Sequence, residues 1–458
     1  MMATSRFRYA RNPITLFGIW LTTVSAVLFL VVFLADVFGV HTNPYIGIIF
    51  FLVLPSLFVF GLLLIPAGAL LMRRRERQGR PAVELRWPTI DLNVPHQRRV
   101  AFFIAAATVV NIVVLGLATY RGVEYMDSPQ FCGQVCHTVM KPEFTAYLNG
   151  PHARVACVQC HIGPGAPWFV KSKLSGTRQL FAVALNTYPT PIPSPVENLR
   201  PARDTCEQCH WPEKFTGDRI RRVVEYAEDE ANTLTSSTLR LHVGSGRDKL
   251  GAVGIHWHMS PSVQVTYITT DPKRQTIPYV EVDDGSGTVR KFRAEGVTDA
   301  QLAQGERRTM DCMDCHNRPS HRFDASPERA VTEAMAHGEI PADLPFIRRE
   351  AVAALRASYA SEAEAVQAIA GRLQTFYSTQ YAQKAGEQRA GIARAVATVQ
   401  GLYRRNVFPQ MKVTWGTYPN NIGHVDFPGC FRCHDDAHKT GDVKTISQDC
   451  STCHTMEG

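Results

Sequence analysis

The chemistry open to this 458-residue chain is concentrated in its twelve cysteines. They fall into six pairs with none left over: Cys132/Cys136, Cys157/Cys160, Cys206/Cys209, Cys312/Cys315, Cys430/Cys433 and Cys450/Cys453. Histidine follows each second cysteine: His137, His161, His210, His316, His434 and His454. Only 16 of the 458 residues are histidine. Six such neighbours would arise by accident on the order of once in a billion trials, whereas Cys-x-x-Cys-His is the attachment sequence of c-type haem. Two thiols add to the two vinyl groups of the porphyrin, and the adjacent imidazole reaches the iron from the same side. Five runs (CVQCH, CEQCH, CMDCH, CFRCH and CSTCH) have the two-residue spacing, while the first, FCGQVCHTVM, has three residues between its thiols. A loop one residue longer still closes the ring of attachments, so we expect six covalently bound haems. Zinc sites and disulfides also use close cysteine pairs, but neither explains the six histidines.

Electron-transfer haems usually have both axial positions filled. His152 lies five residues before Cys157, His321 five after His316, His424 six before Cys430 and His438 four after His434. A histidine so close to a motif is better placed to serve a neighbouring haem than its own. In IHWHMS, a strand reading points His256 and His258 the same way, and we choose His258, with His242 as a spare. Met140 is the candidate beside the first haem, and a thioether there would raise its potential. His337 reads as a surface residue.

Those haems need a scaffold and an address. Residues 14–37, 45–72 and 100–120 are apolar runs, each long enough to cross a bilayer as a helix. Arg6, Arg8 and Arg11 precede the first, and Arg73, Arg74, Arg75, Arg77, Arg80, Arg86, Arg98 and Arg99 fill the connection between the second and third. The turn GVHTNPY carries no Lys or Arg. The positive-inside rule therefore puts the N-terminus in the cytoplasm and everything after residue 120 on the outer side. The formal charge of +8 belongs largely to these membrane flanks and indicates a lipid partner, not a nucleic acid.

A segment so dense in motifs has little room for an ordinary core, and the haems themselves are expected to supply much of its buried apolar area. Between the motifs, residues 188–201 hold five prolines and read as a linker. VQVTYITT and TIPYVEVDDGSGTVRKFRAEG alternate and turn as a small β-hairpin element. The Ala-rich stretch 327–407 reads as two or three helices. The expected fold class is a mainly α membrane protein: three transmembrane helices, then a loop-rich multihaem cytochrome c domain with a small β element and a helical insert. We divide it into an anchor (1–120), a segment with haems one to three (121–217), a β-containing segment with haem four (218–325), the insert (326–410) and a C-terminal haem pair (411–458).

A membrane anchor leading at once to FCGQVCHTVM, CVQCH and CEQCHW resembles the NapC/NirT/NrfH family of membrane-bound quinol dehydrogenases. CMDCHNRPSHRF and GCFRCHDDAHKTGDVKTISQDCSTCH look like its longer multihaem relatives, and the three-helix start resembles inner-membrane quinol-oxidising cytochromes of metal-reducing bacteria. The resemblance implies quinol as substrate near the first haem, with delivery to periplasmic cytochromes or reductases. It also implies a lysine near the quinol, for which Lys171 and Lys173 are available. Glu124, Asp127, Lys141 and Glu143 are further ionisable groups close to the first motif. A terminal reductase with one open iron position, a relay subunit of a larger membrane complex and a homo-oligomer are the alternatives. A haem determination on the purified protein is expected to return six haems per polypeptide.

Overall fold

The computed structural model describes residues 12–37, 54–79, 91–135, 137–163, 166–196, 199–211, 217–244 and 254–457. The chain divides into two compact units, residues 1–126 and 127–458.

The first unit contains three helices long and apolar enough to cross a membrane: α1 (Pro13–Val37), α2 (Leu54–Arg77) and α3 (Pro95–Met126). Residues 45–53 of the expected second run lie outside the described residues. α1 and α2 pack closely because small residues line their contact. The Thr15 hydroxyl donates to the carbonyl of Ile65 at 3.1 Å, and a Cβ on Gly61 would stand 2.4 Å from Thr22 Oγ1. Small residues of this kind let helix backbones approach in lipid, where apolar burial offers no preference between neighbours.

The second unit opens with a π-helical turn (Phe131–Val135), then α4 (His137–Leu148), α5 (Cys157–His161), α6 (Ala166–Ala184) and α7 (Ala202–Cys206). Two antiparallel sheets follow. The first orders β1 (Arg219–Tyr226), β2 (Leu234–Leu241) and β7 (His454–Glu457), with Leu241 opposite both Arg219 and His454. The second orders β5 (Arg290–Arg293), β4 (Tyr279–Asp283), β3 (Gln264–Thr269) and β6 (Glu306–Thr309). The expected β element is therefore this second sheet with an extra strand, β6. The β1–β2 hairpin and β7 were not expected, because their strands place mostly exposed residues on both faces and so lack apolar alternation. Short helices α8 (Asp299–Gln304) and α9 (Cys312–Cys315) flank β6.

The insert is helical, as expected, but has five helices instead of two or three: α10 (Pro327–Ala336), α11 (Ile347–Arg356), α12 (Glu362–Gln380), α13 (Ala382–Glu387) and α14 (Arg389–Asn406). Ser326 and Ser361 cap α10 and α12 by accepting from the backbone N–H of Arg329 and Glu364, and Pro327 opens α10, where its missing N–H costs nothing. Along α14, Ile392, Ala395, Val396, Val399, Leu402 and Tyr403 recur at helical spacing and are buried. With Val331, Leu344, Ile347, Ile369, Leu373 and Tyr377 they form the largest apolar core among the described residues.

Asn232, buried at the tip of the β1–β2 hairpin, ties that hairpin to the bundle. Its side-chain amide donates to the carbonyls of Ala342 (3.0 Å) and Leu344 (2.8 Å), and its oxygen accepts from Arg348 N–H (3.0 Å). Asn232→Ala would leave three buried groups unpaired. We expect it to lower stability by about 2–3 kcal/mol, read as a shift of the chemical denaturation midpoint.

Candidate haem-binding site

Motifs two to five each wind the first cysteine and the histidine through one tight turn. The backbone N–H groups of His210, His316 and His434 donate to the carbonyls of Cys206, Cys312 and Cys430 at 2.8, 2.8 and 3.1 Å. A four-residue offset across a helical turn places both side chains on one face, as a porphyrin attached at the thiol and ligated at the imidazole demands. Asp311 caps the fourth motif by accepting from Met313 N–H, and Asp449 caps the sixth by accepting from Ser451 N–H. The longer first motif answers the same demand differently. Its extra residue is absorbed in the π-helical turn Phe131–Val135, the usual way a helix accommodates an insertion without losing direction. Cys136 and the His137 side chain lie outside the described residues. Gly133 is buried in the turn, and a Cβ there would fall 2.2–2.7 Å from the ring atoms of Phe144.

The cysteines themselves are unevenly enclosed. Cys160, Cys209 and Cys450 are exposed, whereas Cys206, Cys312, Cys315, Cys430 and Cys433 are partly buried. At Cys209 the reason is local. α7 ends at Cys206, and the chain turns outward through Cys209, whose backbone N–H donates to Cys206 O at 3.1 Å. The next residues, His210 and Trp211, are exposed as well.

The second donors emerge from the ring geometry. Five motif histidines each face one histidine from elsewhere. His161 faces His321 with ring centres 6.2 Å apart, His210 faces His152 at 6.0 Å, and His316 faces His256 at 6.4 Å. His434 faces His258 at 6.0 Å, and His454 faces His424 at 6.2 Å. No hydrogen bond at this distance would hold two rings together. Two metal–nitrogen bonds of about 2 Å, plus roughly 1 Å from each ring centre to its nitrogen, give two imidazoles on opposite sides of one metal a separation of about 6 Å. The residues present therefore fit haem.

The protonation pattern agrees. Nδ1 of His152 donates to Pro319 O (3.1 Å), that of His321 to Glu143 O (2.9 Å), and that of His256 to Val243 O (3.2 Å). His258 and His434 do the same to Ile255 O and Ser447 O, both at 2.9 Å. A carbonyl can only accept, so the proton sits on Nδ1 and the Nε2 lone pair is left for a metal. Burial holds His161, His256, His258, His316 and His321 below the ordinary histidine range, so they stay neutral.

Neighbouring motifs touch. The thiols of Cys132 and Cys157 hydrogen-bond each other, and so do those of Cys206 and Cys312. The first of these bonds holds Cys157 down to about 7, while burial pushes Cys315 and Cys433 up to about 12.

A model of the NapC/NirT cytochrome c family, N-terminal region, matches residues 94–192. Over 452 residues the chain is 44% identical to the cytochrome c-type protein ImcH of Geobacter sulfurreducens, covering 98% of this chain and 89% of the relative. The chain belongs to the NapC/NirT cytochrome c family. It is a membrane-anchored multihaem electron-transfer protein of the inner membrane with covalently bound haem c. No solved structure matches it.

Other candidates lie elsewhere. His438 is not offered to a metal: it is buried, with Nδ1 on Asp435 Oδ1 at 2.8 Å and Nε2 on Ile277 O at 2.7 Å. With both nitrogens engaged, it clips the fifth motif's loop to the second sheet. The strand reading of IHWHMS is corrected too. Ile255–Met259 is a 3-10 turn, whose three residues per turn send positions two apart in different directions. His256 and His258 thus reach different partners, and His256 was the histidine sequence reading passed over. His242 Nδ1 donates to Asp218 Oδ1 (3.2 Å), and its backbone N–H donates to Cys453 O (2.8 Å). His337 is exposed at the C-terminal cap of α10, as expected. Met140 lies on α4, one turn after His137.

The ionisable candidates near the first motif do not converge on one point. Glu124 pairs with Arg121 at 2.7 Å on α3. Lys141 pairs with Glu362 at 2.7 Å, and Lys171 lies 4.9 Å above the Trp168 ring. Asp127 is half-buried at the start of the second unit, and the Lys173 side chain is outside the described residues. Glu143, missed as a structural anchor, takes two bonds from Arg318 Nη2 (3.1 and 2.9 Å) and lies 3.3 Å from His321 Nδ1. An open cavity of about 580 Å³ beside the first motif is lined by Gly133, Gln134, Thr138, Lys141, Phe144 and Gln410. We expect Gly133→Val to distort the first motif alone, so that the purified protein carries one haem fewer than the parent by pyridine haemochrome assay.

Proposed function

We propose that this chain is a hexahaem quinol dehydrogenase that takes electrons from the membrane quinol pool and delivers them to periplasmic cytochromes or reductases. The reading is carried by the five histidine pairs, each joining one motif histidine to one from elsewhere in the chain at 6.0–6.4 Å. When bound, haem c supplies one-electron oxidation and reduction at an iron whose axial ligands tune its potential. The twelve cysteines would hold the porphyrins, and His137, His161, His210, His316, His434 and His454 would each offer one imidazole to an iron. His321, His152, His256, His258 and His424 provide the other at motifs two to six, and Met140 serves the first. Paired axial donors leave no position for substrate at those five sites, which favours a conduit over a terminal reductase.

Quinol oxidation releases two protons with its two electrons, so the site needs polar groups able to receive them. The cavity beside the first motif falls in the size range of small-molecule pockets and offers Gln134, Thr138 and Lys141 to a quinol's hydroxyl groups and Phe144 to its ring. Glu362 holds Lys141 in place. Glu124, Asp127, Lys171 and Lys173 remain the other quinol-site candidates. The arginine asymmetry of the anchor places the N-terminus in the cytoplasm and the second unit in the periplasm.

The test is anaerobic titration of the purified, haem-loaded protein with a soluble menaquinol or ubiquinol analogue, followed in the haem α-band. Quinol is expected to reduce the haems, and Lys141→Ala to slow that reduction at least tenfold while dithionite still reduces every haem. Full reduction by dithionite with none by either quinol would overturn the proposal.

A further inference from the structure

We propose that the turn Ile255–Met259 is a single clamp supplying one axial imidazole to each of two haems, those of the fourth and fifth motifs, and giving them different electronic character. This rests on the ligand reading above. His256 faces His316 with ring planes 3° apart, whereas His258 faces His434 with planes 77° apart. Both histidines leave one five-residue 3-10 turn, and the turn is strapped down on several sides. Ile255 N–H donates to His242 O (2.8 Å), His256 N–H to Val243 O (3.0 Å), and Arg203 Nη2 to Met259 O (3.2 Å). The Nδ1 groups of both rings are anchored on Val243 O and Ile255 O. Each plane is therefore oriented by a backbone carbonyl, that of Val243 for His256 and that of Ile255 for His258.

Gly254 is the positioning residue for the pair. Its φ is 77°, a region that L side chains rarely adopt. A Cβ there would stand 2.4 Å from His242 O and 2.8 and 2.9 Å from the Cα and N of Gly244. Those are backbone atoms that cannot swing aside, so a side chain at 254 must move the turn and both histidines with it.

The plane angles have an electronic consequence. Each axial imidazole's π electrons interact with the iron d orbital lying across its ring plane. Parallel rings act on the same orbital and split the pair, giving a rhombic low-spin ferric signal. Perpendicular rings act on one orbital each and leave the pair nearly degenerate, giving a strongly anisotropic signal with a very large maximum g value. The His256–His316 pair belongs to the first class with His424–His454, whose planes differ by 23°. The His258–His434 pair belongs to the second with His152–His210, at 76°.

The experiment is quantitative EPR on the oxidised, haem-loaded full chain in detergent, with haem content measured in parallel. His256→Ala is expected to turn one rhombic haem high-spin and leave the strongly anisotropic signal intact. His258→Ala should convert one strongly anisotropic haem and spare the rhombic signal. Gly254→Val should perturb one haem of each class in a protein that still carries the parent haem content. The clamp is overturned if the two alanine variants convert the same species, or if Gly254→Val leaves either class untouched. Should Gly254→Val lose haem outright, the two alanine variants decide the question alone. A parent spectrum with no low-spin bis-imidazole haem would instead bring down the ligand reading, whatever the variants do.

Discussion

An imidazole tied to its porphyrin by the adjacent cysteine can approach the iron from one side only, and a donor for the other side has to come from a distant stretch of chain. In the second unit this constraint is visible as long-range crossings. His321, which follows the fourth motif, faces the second motif's histidine, and His152, which precedes the second motif, faces the third's. His424 precedes the fifth motif and faces the sixth's. Each crossing fixes two loops that have little apolar surface with which to fix themselves. The regular elements then carry these loops: β7 begins at His454, and β6 runs within three residues of Cys312.

A second layer of polar contacts holds the donors. Carbonyl groups orient the rings, and around His321 the arrangement is densest. Glu143 binds Arg318, and the Arg318 guanidinium lies over the rings of Tyr418 (4.2 Å) and Phe323 (5.2 Å). The side chains of Arg318 and Glu143 are both largely buried, and removing one would leave the other's charge uncompensated. Arg432, inside the fifth motif, likewise donates to the carbonyls of Asp314 (2.6 Å) and Arg274 (2.8 Å), binding the fourth motif's turn to the fifth's. Motif residues between the cysteines thus contribute to the fold as well as to spacing.

The motifs, the three apolar helices and the helical nature of the insert were legible because each rests on a local signal: fixed spacing, an uninterrupted apolar run, or composition with caps. The distal histidines were only partly legible. Proximity to a motif brought attention to His152, His321 and His424, which the structure places facing motif histidines, but the same reasoning favoured His438, which hydrogen bonds engage instead. Distinguishing them requires knowing which nitrogen meets a carbonyl, a tertiary fact. His256 was lost to a wrong periodicity, since a strand and a 3-10 turn assign different directions to alternate residues. The β1–β2 hairpin escaped because its side chains are largely exposed and lack apolar alternation.

The helical bundle between the fourth and fifth motifs contains no Cys-x-x-Cys-His run, and its core is built of aliphatic, methionine and tyrosine side chains with Phe376 and Trp415 packed against it. Two of its contacts reach outward, through Asn232 to the β1–β2 hairpin and through Glu362 to Lys141 beside the first motif. Through these two contacts the bundle gathers early and middle segments of the chain around a core that holds no haem-attachment residue.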